Sequence, residues 1–316
     1  MKILIIDEMH ESIIPLLKEI NLEVDYLPDI KRQEIISILE NYEGLIVRSK
    51  TSIDAELLQQ AKKLMFVARA GAGVDNVEVK QLEKRNIRLL NAPEGNRDAL
   101  AEHAMGMLLS LFNKINLADL EVKSGKWDRE GNRGVELMGK TIGLLGYGNM
   151  GEAFAKRLSS FGCEIIAFDA EKTGFSKQHV QEVSLEILKE KSQILSLHIP
   201  MNSENKGIVD YEFLNGFKKL DYIINTSRGE VLILKDLLQM LHEHKLKGAA
   251  LDVLENEKLN ALSEEESFIF HQLTKLKQVI LTPHVAGWSF ESYEKINRVL
   301  SQKIKSLIKK NDKLPT

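Results

Sequence analysis

At 316 residues the chain is about twice a usual single-domain length, which predicts two domains rather than one core. Its composition, 43% hydrophobic and 28% charged with 20 Gly and 6 Pro, excludes the disordered, collagenous and coiled-coil classes. A net charge of -3 leaves no basic field for nucleic acid as main partner, and no run approaches the ~20 apolar residues of a membrane helix.

The chain opens on Lys2–Asp7, an apolar run that stops at Asp7 without a small-residue cleavage site, so it predicts a buried strand rather than a signal peptide. Helical spacing over 10–20 follows, then strand over 22–27, helix over 31–40 and strand over 44–48. A helix over 54–62, capped by Asp54, precedes strands over 64–68 and 87–90. Apolar strands separated by helices call for a parallel sheet covered on both faces, a doubly wound α/β unit. One long helix is predicted over 98–123, then a polar, Gly-containing stretch over 124–134. A second α/β series has strands at 141–145, 164–168, 194–198, 222–226, 248–253 and 279–282. The tail over 290–309 reads as helix and ends in a charged, poorly patterned stretch. Cys163, the one cysteine, cannot close an internal disulfide, so a cytoplasmic protein is expected.

The sharpest local signal is Gly146-Tyr147-Gly148-Asn149-Met150-Gly151, set between the strand 142–145 and a helix carrying Met150, Phe154, Leu158 and Phe161. Gly146 permits the tight turn, Gly148 lets backbone approach a pyrophosphate, Gly151 lets helix pack on strand, and the helix N-terminal amides face the phosphates. Asp169, eighteen residues past Gly151 at the end of the next strand, can accept from both adenosine ribose hydroxyls and repels a 2′-phosphate. NAD is therefore expected over NADP, with Lys172 close enough to soften the exclusion. A strand-end cap is the other reading of Asp169.

Three motifs end late strands: Asn225–Gly229, Leu251–Glu257 and Thr282–Ser289. Ligands of open α/β sheets bind outside the carboxyl ends of strands, so all three can meet a cofactor. Arg228 offers a planar fork for a carboxylate, and His284 can pass a proton near neutral pH. A carboxylate beside that ring would orient it and favour the imidazolium. Taken singly, His284 reads equally as a loop histidine, Arg228 as a surface ion pair, and Glu257 as part of a solvated acidic run with Glu255. His242 and His244 lie two apart and face different ways, so no metal site is expected. His103 and His198 read as packing or cofactor-side walls.

With these motifs and with Arg69–Asn76, Leu45–Thr51 and Asn91-Ala92-Pro93, the chain resembles the NAD-dependent D-2-hydroxyacid dehydrogenase family over nearly its whole length. The resemblance implies two doubly wound parallel-sheet domains: a flavodoxin-like substrate domain (1–98 plus 285–316) and a Rossmann NAD-binding domain (99–284). It implies that Arg228 binds the substrate carboxylate and carbonyl, His284 handles the proton and Glu257 partners it. Asp252 would hold the nicotinamide carboxamide, with Thr226 and His198 also on the cofactor side, and the amides of Ala72 and Gly73 would take the substrate carboxylate. The partner is then a small 2-hydroxy or 2-oxo acid, and a homodimer forms through the NAD-binding domain, with the helix over 102–120 contributing.

Arg48, Ser49 and Arg69 resemble the D-3-phosphoglycerate dehydrogenase branch. A substrate with a distal phosphate needs extra cations, for which Arg48, Lys50 and Arg69 sit at predicted strand ends. The chain end at 316 leaves no room for a serine-sensing regulatory domain, so a short form is expected. Lys258 stands where the family usually has proline, and Gly95–Leu100 replaces the usual hinge stretch. The alternatives are a hydroxypyruvate, glyoxylate or D-lactate-type reductase and, from another class, an NAD(H)-sensing corepressor-like binding protein.

Overall fold

The computed structural model describes residues 1–311, so the charged end of the tail falls outside the described residues. The chain divides into two units, Met1–Arg97 with Trp288–Thr316, and Asp98–Gly287.

In the first unit, β1 (Lys2–Ile5), β2 (Glu23–Tyr26), β3 (Gly44–Val47), β4 (Phe66–Arg69) and β5 (Arg88–Asn91) alternate with α1 (Ile13–Lys18), α2 (Arg32–Ile38), α3 (Ala55–Leu58) and α4 (Val79–Lys84). All pairings are parallel, in the order β2-β1-β3-β4-β5 of flavodoxin-like sheets. Strand alternation sends Leu4, Leu45 and Val67 to one face and Ile3, Ile5 and Ile46 to the other, each into its own apolar layer. Asp54 caps α3, its Oδ1 accepting the Leu57 amide at 3.0 Å, although that helix is only one turn long.

The predicted single helix over 98–123 is two: α5 (Pro93–Phe112) and α6 (Ile115–Lys123). Pro93 starts α5 at a first-turn position where its missing N–H costs nothing. Lys114, left-handed at φ 51°, breaks the continuation. Gly95 lies inside α5 because a Cβ there would come within 2.7 Å of the Ile296 backbone.

The second unit runs β6 (Thr141–Leu145), α7 (Asn149–Leu158), β7 (Glu164–Phe168), β8 (Gln181–Glu182), α8 (Leu185–Lys191), β9 (Ile194–Leu197), α9 (Tyr211–Asn215), β10 (Tyr222–Asn225), α10 (Leu234–His242), β11 (Gly248–Leu251), α11 (Glu264–Lys275) and β12 (Val279–Leu281). Its sheet is parallel throughout, in the order β12-β11-β10-β9-β6-β7-β8, and the strand order reverses between β6 and β9. Ile142 and Leu144 face a layer with Met105, Leu108, Phe112 and Phe154, while Leu145, Leu195 and Leu197 face one with Leu188, Leu237 and Leu241. Each such fully buried side chain contributes about 1.5–3 kcal/mol. The last helix, α12 (Phe290–Asn311), returns to the first unit and buries Ile296, Leu300 and Ile304 beside Ile13 and Leu17 of α1. The chain is thus a two-domain parallel α/β protein, flavodoxin-like and Rossmann.

Candidate active site

The fingerprint loop leaves β6 at the point where the strand order of the second sheet reverses, the place where such sheets bind ligands. Gly146 takes φ +96°, and a Cβ on it would lie 2.5 Å from the carbonyl oxygen of His198 at the end of β9. A Cβ on Gly151 would lie 2.4 Å from the Gly146 oxygen, so both glycines are required for loop and helix to close up. Gly148, by contrast, faces open space and is followed by the first turn of α7, with the amides of Asn149 and Met150 in it. A bare backbone above a helix N-terminus fits a dinucleotide pyrophosphate.

Asp169 follows β7 and lines a 450 Å³ cavity with Thr173 and Ser176. Its Oδ2 accepts the Tyr147 amide at 2.7 Å and its Oδ1 accepts the amides of Glu171 and Lys172, which ties the end of β7 to the fingerprint loop. Lys172 is turned onto Tyr147, donating to its carbonyl at 3.2 Å. The ring of His198 is enclosed beneath the loop, with Nε2 2.9 Å from Ser196 Oγ and its face 5.5 Å from Phe154. Its carbonyl oxygen lies against Gly146 and its Cβ near Gly151 of the loop, and burial pushes the ring pKa down to about 4. Thr226, at the end of β10, is 4% exposed and its buried hydroxyl has no partner among the described residues.

Arg228 is presented by a turn that Asn225 builds: Asn225 Oδ1 accepts from the Ser227 amide and hydroxyl, and its Nδ2 donates to the Arg228 carbonyl. A Cβ on Gly229 would lie 1.8 Å from the Leu254 oxygen, so only glycine lets this turn abut the loop that carries Glu257. Within that loop the two acids part. Glu255 turns inward to the Leu234 amide at 2.7 Å, whereas Glu257 meets His284. At Lys258, where proline is usual, Asn256 Oδ1 accepts the Lys258 amide and Asn256 Nδ2 donates to Glu266 of α11.

His284 Nδ1 lies 2.9 Å from each Glu257 oxygen, and the two side chains are 46% and 45% exposed, within reach of a ligand. Its pKa is raised from 6.5, chiefly by the Glu257 hydrogen bond, against burial and the charge of Arg228, with Asp252 adding to the rise. The His284 backbone is left-handed, φ 53°, a conformation costing a Cβ-bearing residue about 1–2 kcal/mol. Asp252, 1% exposed, is beside it: Oδ1 accepts from Thr282 Oγ1 and the Val285 amide, and Oδ2 from the Ala286 amide. The fold therefore sets Glu257 and Asp252 against His284, with Arg228 close enough for its charge to act on the ring, while His103, read above as packing or a cofactor-side wall, reaches Thr282 Oγ1 at 3.1 Å.

In the first unit, Arg48 follows β3 and Arg69 ends the adjacent strand β4. The Arg48 amide donates to Asp7 Oδ2 at 2.5 Å, and its guanidinium lies 3.7 Å from the Trp288 ring and 5.4 Å from the Tyr293 ring. Ser49 follows on the same strand end. Arg69 folds back toward the Ala70 carbonyl, filling the space that a Cβ on Gly71 would need. The Ala72 carbonyl accepts from Asn91 Nδ2 at 2.7 Å, which fixes the Ala72–Gly73 backbone. The Lys50 ammonium donates to the Pro28 and Ile30 carbonyls at 2.5 and 2.8 Å, which uses two of its three N–H groups.

Residues 105–286 match the family model of the D-isomer specific 2-hydroxyacid dehydrogenase NAD-binding domain. The chain is 32% identical over 311 residues to a D-3-phosphoglycerate dehydrogenase of Archaeoglobus fulgidus, covering 98% of this chain but only 58% of that relative's length. It is 34% identical over 275 residues to a hydroxypyruvate reductase of Thermotoga maritima, covering 87% of this chain and 88% of that one. Among solved structures, an acyclic imino acid reductase in complex with NADPH and D-Arg superposes with a TM-score of 0.83 at 28% identity, covering 98% of each chain. With the fingerprint loop and the His284–Glu257 pair in its second unit, the chain belongs to the D-isomer specific 2-hydroxyacid dehydrogenase family.

Proposed function

We propose that the protein reduces a 2-oxo acid to its D-2-hydroxy acid with NADH, and that the preferred acid carries a second, distal anionic group, as 3-phosphohydroxypyruvate does. The observation carrying the reaction is the pairing of His284 Nδ1 with both Glu257 oxygens at 2.9 Å. That bond holds the ring by one nitrogen and leaves Nε2 to give the substrate carbonyl oxygen its proton. Arg228 binds the carboxylate and polarises the carbonyl. NADH, when bound, supplies the hydride to the 2-carbon.

Gly146, Gly148, Asn149, Met150 and Gly151 hold the pyrophosphate, Asp169 the adenosine ribose, and Thr226 and Asp252 the nicotinamide side. Asp252 retains an acceptor position on Oδ2 for a carboxamide N–H. His198 acts there from beneath, its carbonyl oxygen occupying the space that a Cβ on Gly146 would need. The amides of Ala72 and Gly73 take the substrate carboxylate, and Arg48, Ser49 and Arg69 the distal anion. NAD is favoured over NADP because the Asp169 carboxylate, tied to the fingerprint loop through the Tyr147 amide, stands where a ribose 2′-phosphate would have to fit, and Lys172 is engaged on the Tyr147 carbonyl. A homodimer through the NAD-binding domain completes the reading.

One observation favours a smaller substrate such as hydroxypyruvate: a face of the Arg48 guanidinium is covered by Trp288, and Arg69 is folded back on its own strand end. NADH oxidation with 3-phosphohydroxypyruvate, hydroxypyruvate, glyoxylate, pyruvate and 2-oxoglutarate decides between them. A kcat/KM highest for the phosphorylated acid, falling at least tenfold in Arg48→Ala, supports the distal-anion reading. Preference for an unphosphorylated acid, unmoved by Arg48→Ala, removes it.

A further inference from the structure

We propose that His103 and Thr282 are positioning residues for His284, acting through the buried carboxylate of Asp252. The proposal rests on the reading of His284 as the proton-handling group. Thr282 has one hydroxyl proton, and the short 2.6 Å distance to Asp252 Oδ1 assigns it to that carboxylate. The Thr282 oxygen is then left as an acceptor toward His103 Nε2, 3.1 Å away, so Nε2 must carry a hydrogen. Nε2 also lies 3.5 Å from Asp252 Oδ1, which favours the same proton placement.

The result is a directed chain, His103 N–H to Thr282 O–H to Asp252, whose end sets the loop. Asp252 holds the amides of Val285 and Ala286 through its side chain and accepts the His284 amide at 2.7 Å through its own carbonyl. These bonds bracket the left-handed residue on both sides. The anchor is rigid, because α5 is fixed in the core by Met105, Leu108 and Phe112. A histidine serving only to fill space needs no donor at Nε2.

Thr282→Val keeps the shape and deletes the hydroxyl, and Thr282→Ser returns it. His103→Leu deletes the donor, and His103→Gln returns an N–H. Two readouts are taken: the NMR titration of the His284 ring, which needs no turnover, and steady-state 2-oxo acid reduction with NADH affinity measured by fluorescence. The charges facing His284 are Glu257, Arg228 and Asp252, so a loosened loop weakens the Glu257 bond first. Thr282→Val and His103→Leu should move the His284 midpoint to lower pH and cut kcat by about ten- to a hundredfold with NADH affinity within twofold. The double variant should be no worse than either single one, and Ser and Gln should recover most of the loss. An unmoved midpoint in the soluble, folded variants overturns the proposal, as does weakened NADH binding at unchanged kcat. If Thr282→Val does not fold, the His103 pair carries the test. A wild-type protein that reduces no 2-oxo acid while the midpoint still shifts would overturn the proposed reaction and leave the positioning chain standing.

Discussion

His284 and His198 carry the same ring and are driven in opposite directions by their surroundings. At His284 a carboxylate holds the proton on, so the pair's stabilisation is present below the ordinary histidine pKa and is lost as pH rises through the raised folded value. Reduction needs the imidazolium, so its rate falls along the same limb. In Glu257→Gln the largest upward influence is gone, while burial and Arg228 still press downward. The basic limb of kcat/KM for reduction should therefore move to lower pH, and activity at pH 8 should drop on the order of a hundredfold. A profile identical to wild type would show that Glu257 does not act on the ring. His198 has no charge acting on it among the described residues and its ring is enclosed, which lowers its pKa to about 4. Between pH 6.5 and 4 the unfolded ring binds a proton that the folded one refuses, so stability falls with acid over that window. Urea unfolding at pH 7 and pH 4.5 measures this. The loss in His198→Gln should be about 2–3 kcal/mol smaller than in wild type.

The elements bearing chemistry are joined by close backbone approaches, and these define what a single methyl group can undo. Gly229 sits where the turn presenting Arg228 touches the Leu254–Glu255 backbone; Gly229→Ala would force a Cβ to 1.8 Å of a carbonyl that cannot swing aside. The expected cost is about 2–4 kcal/mol in thermal or urea unfolding, with activity lost even at low temperature because Arg228 and Glu257 are moved apart. An Ala variant of wild-type activity would mean the two loops are free to separate. Such approaches set the limit of what the sequence discloses. Gly146, Gly148 and Gly151 work within six consecutive residues, and the wholly buried strands announce themselves as apolar runs, so both could be read directly. The break at Lys114 could not, since Leu109, Phe112, Ile115 and Leu120 keep a helical spacing across it. Glu255 and Glu257 belong to one acidic run, and only the tertiary position of the Leu234 amide sends the first inward. His103 and Thr282 are separated by 179 residues, with no local signal in either segment.

At the scale of the whole molecule, the second unit carries an apolar surface that its own core does not use. Ile115, Leu120 and Val122 of α6 and Trp127 after it are 51%, 66%, 50% and 79% exposed. The stretch following α6 is bound back onto it: Glu121 accepts from Lys126 Nζ at 2.6 Å and from Asn132 Nδ2 at 2.7 Å, so Trp127 is held in a fixed loop. Aromatic and aliphatic side chains displayed on a rigid frame, with Lys126 and Lys123 interspersed, have the composition of an interface core and its rim. A two-fold arrangement would pair the patch with its own copy, and a standard interface needs about 800 Å² from each protomer. These four side chains could supply a good part of that area, since a single aromatic residue buries about 150–250 Å². Light scattering at micromolar concentration should give twice the 35.8 kDa chain mass, and Leu120→Asp combined with Trp127→Ser should return it to 35.8 kDa. Both substitutions lie on the surface, so the isolated protomer should keep its far-ultraviolet spectrum and its NADH affinity. A wild-type mass of 35.8 kDa would leave the patch without a second copy to cover it and would end the homodimer reading.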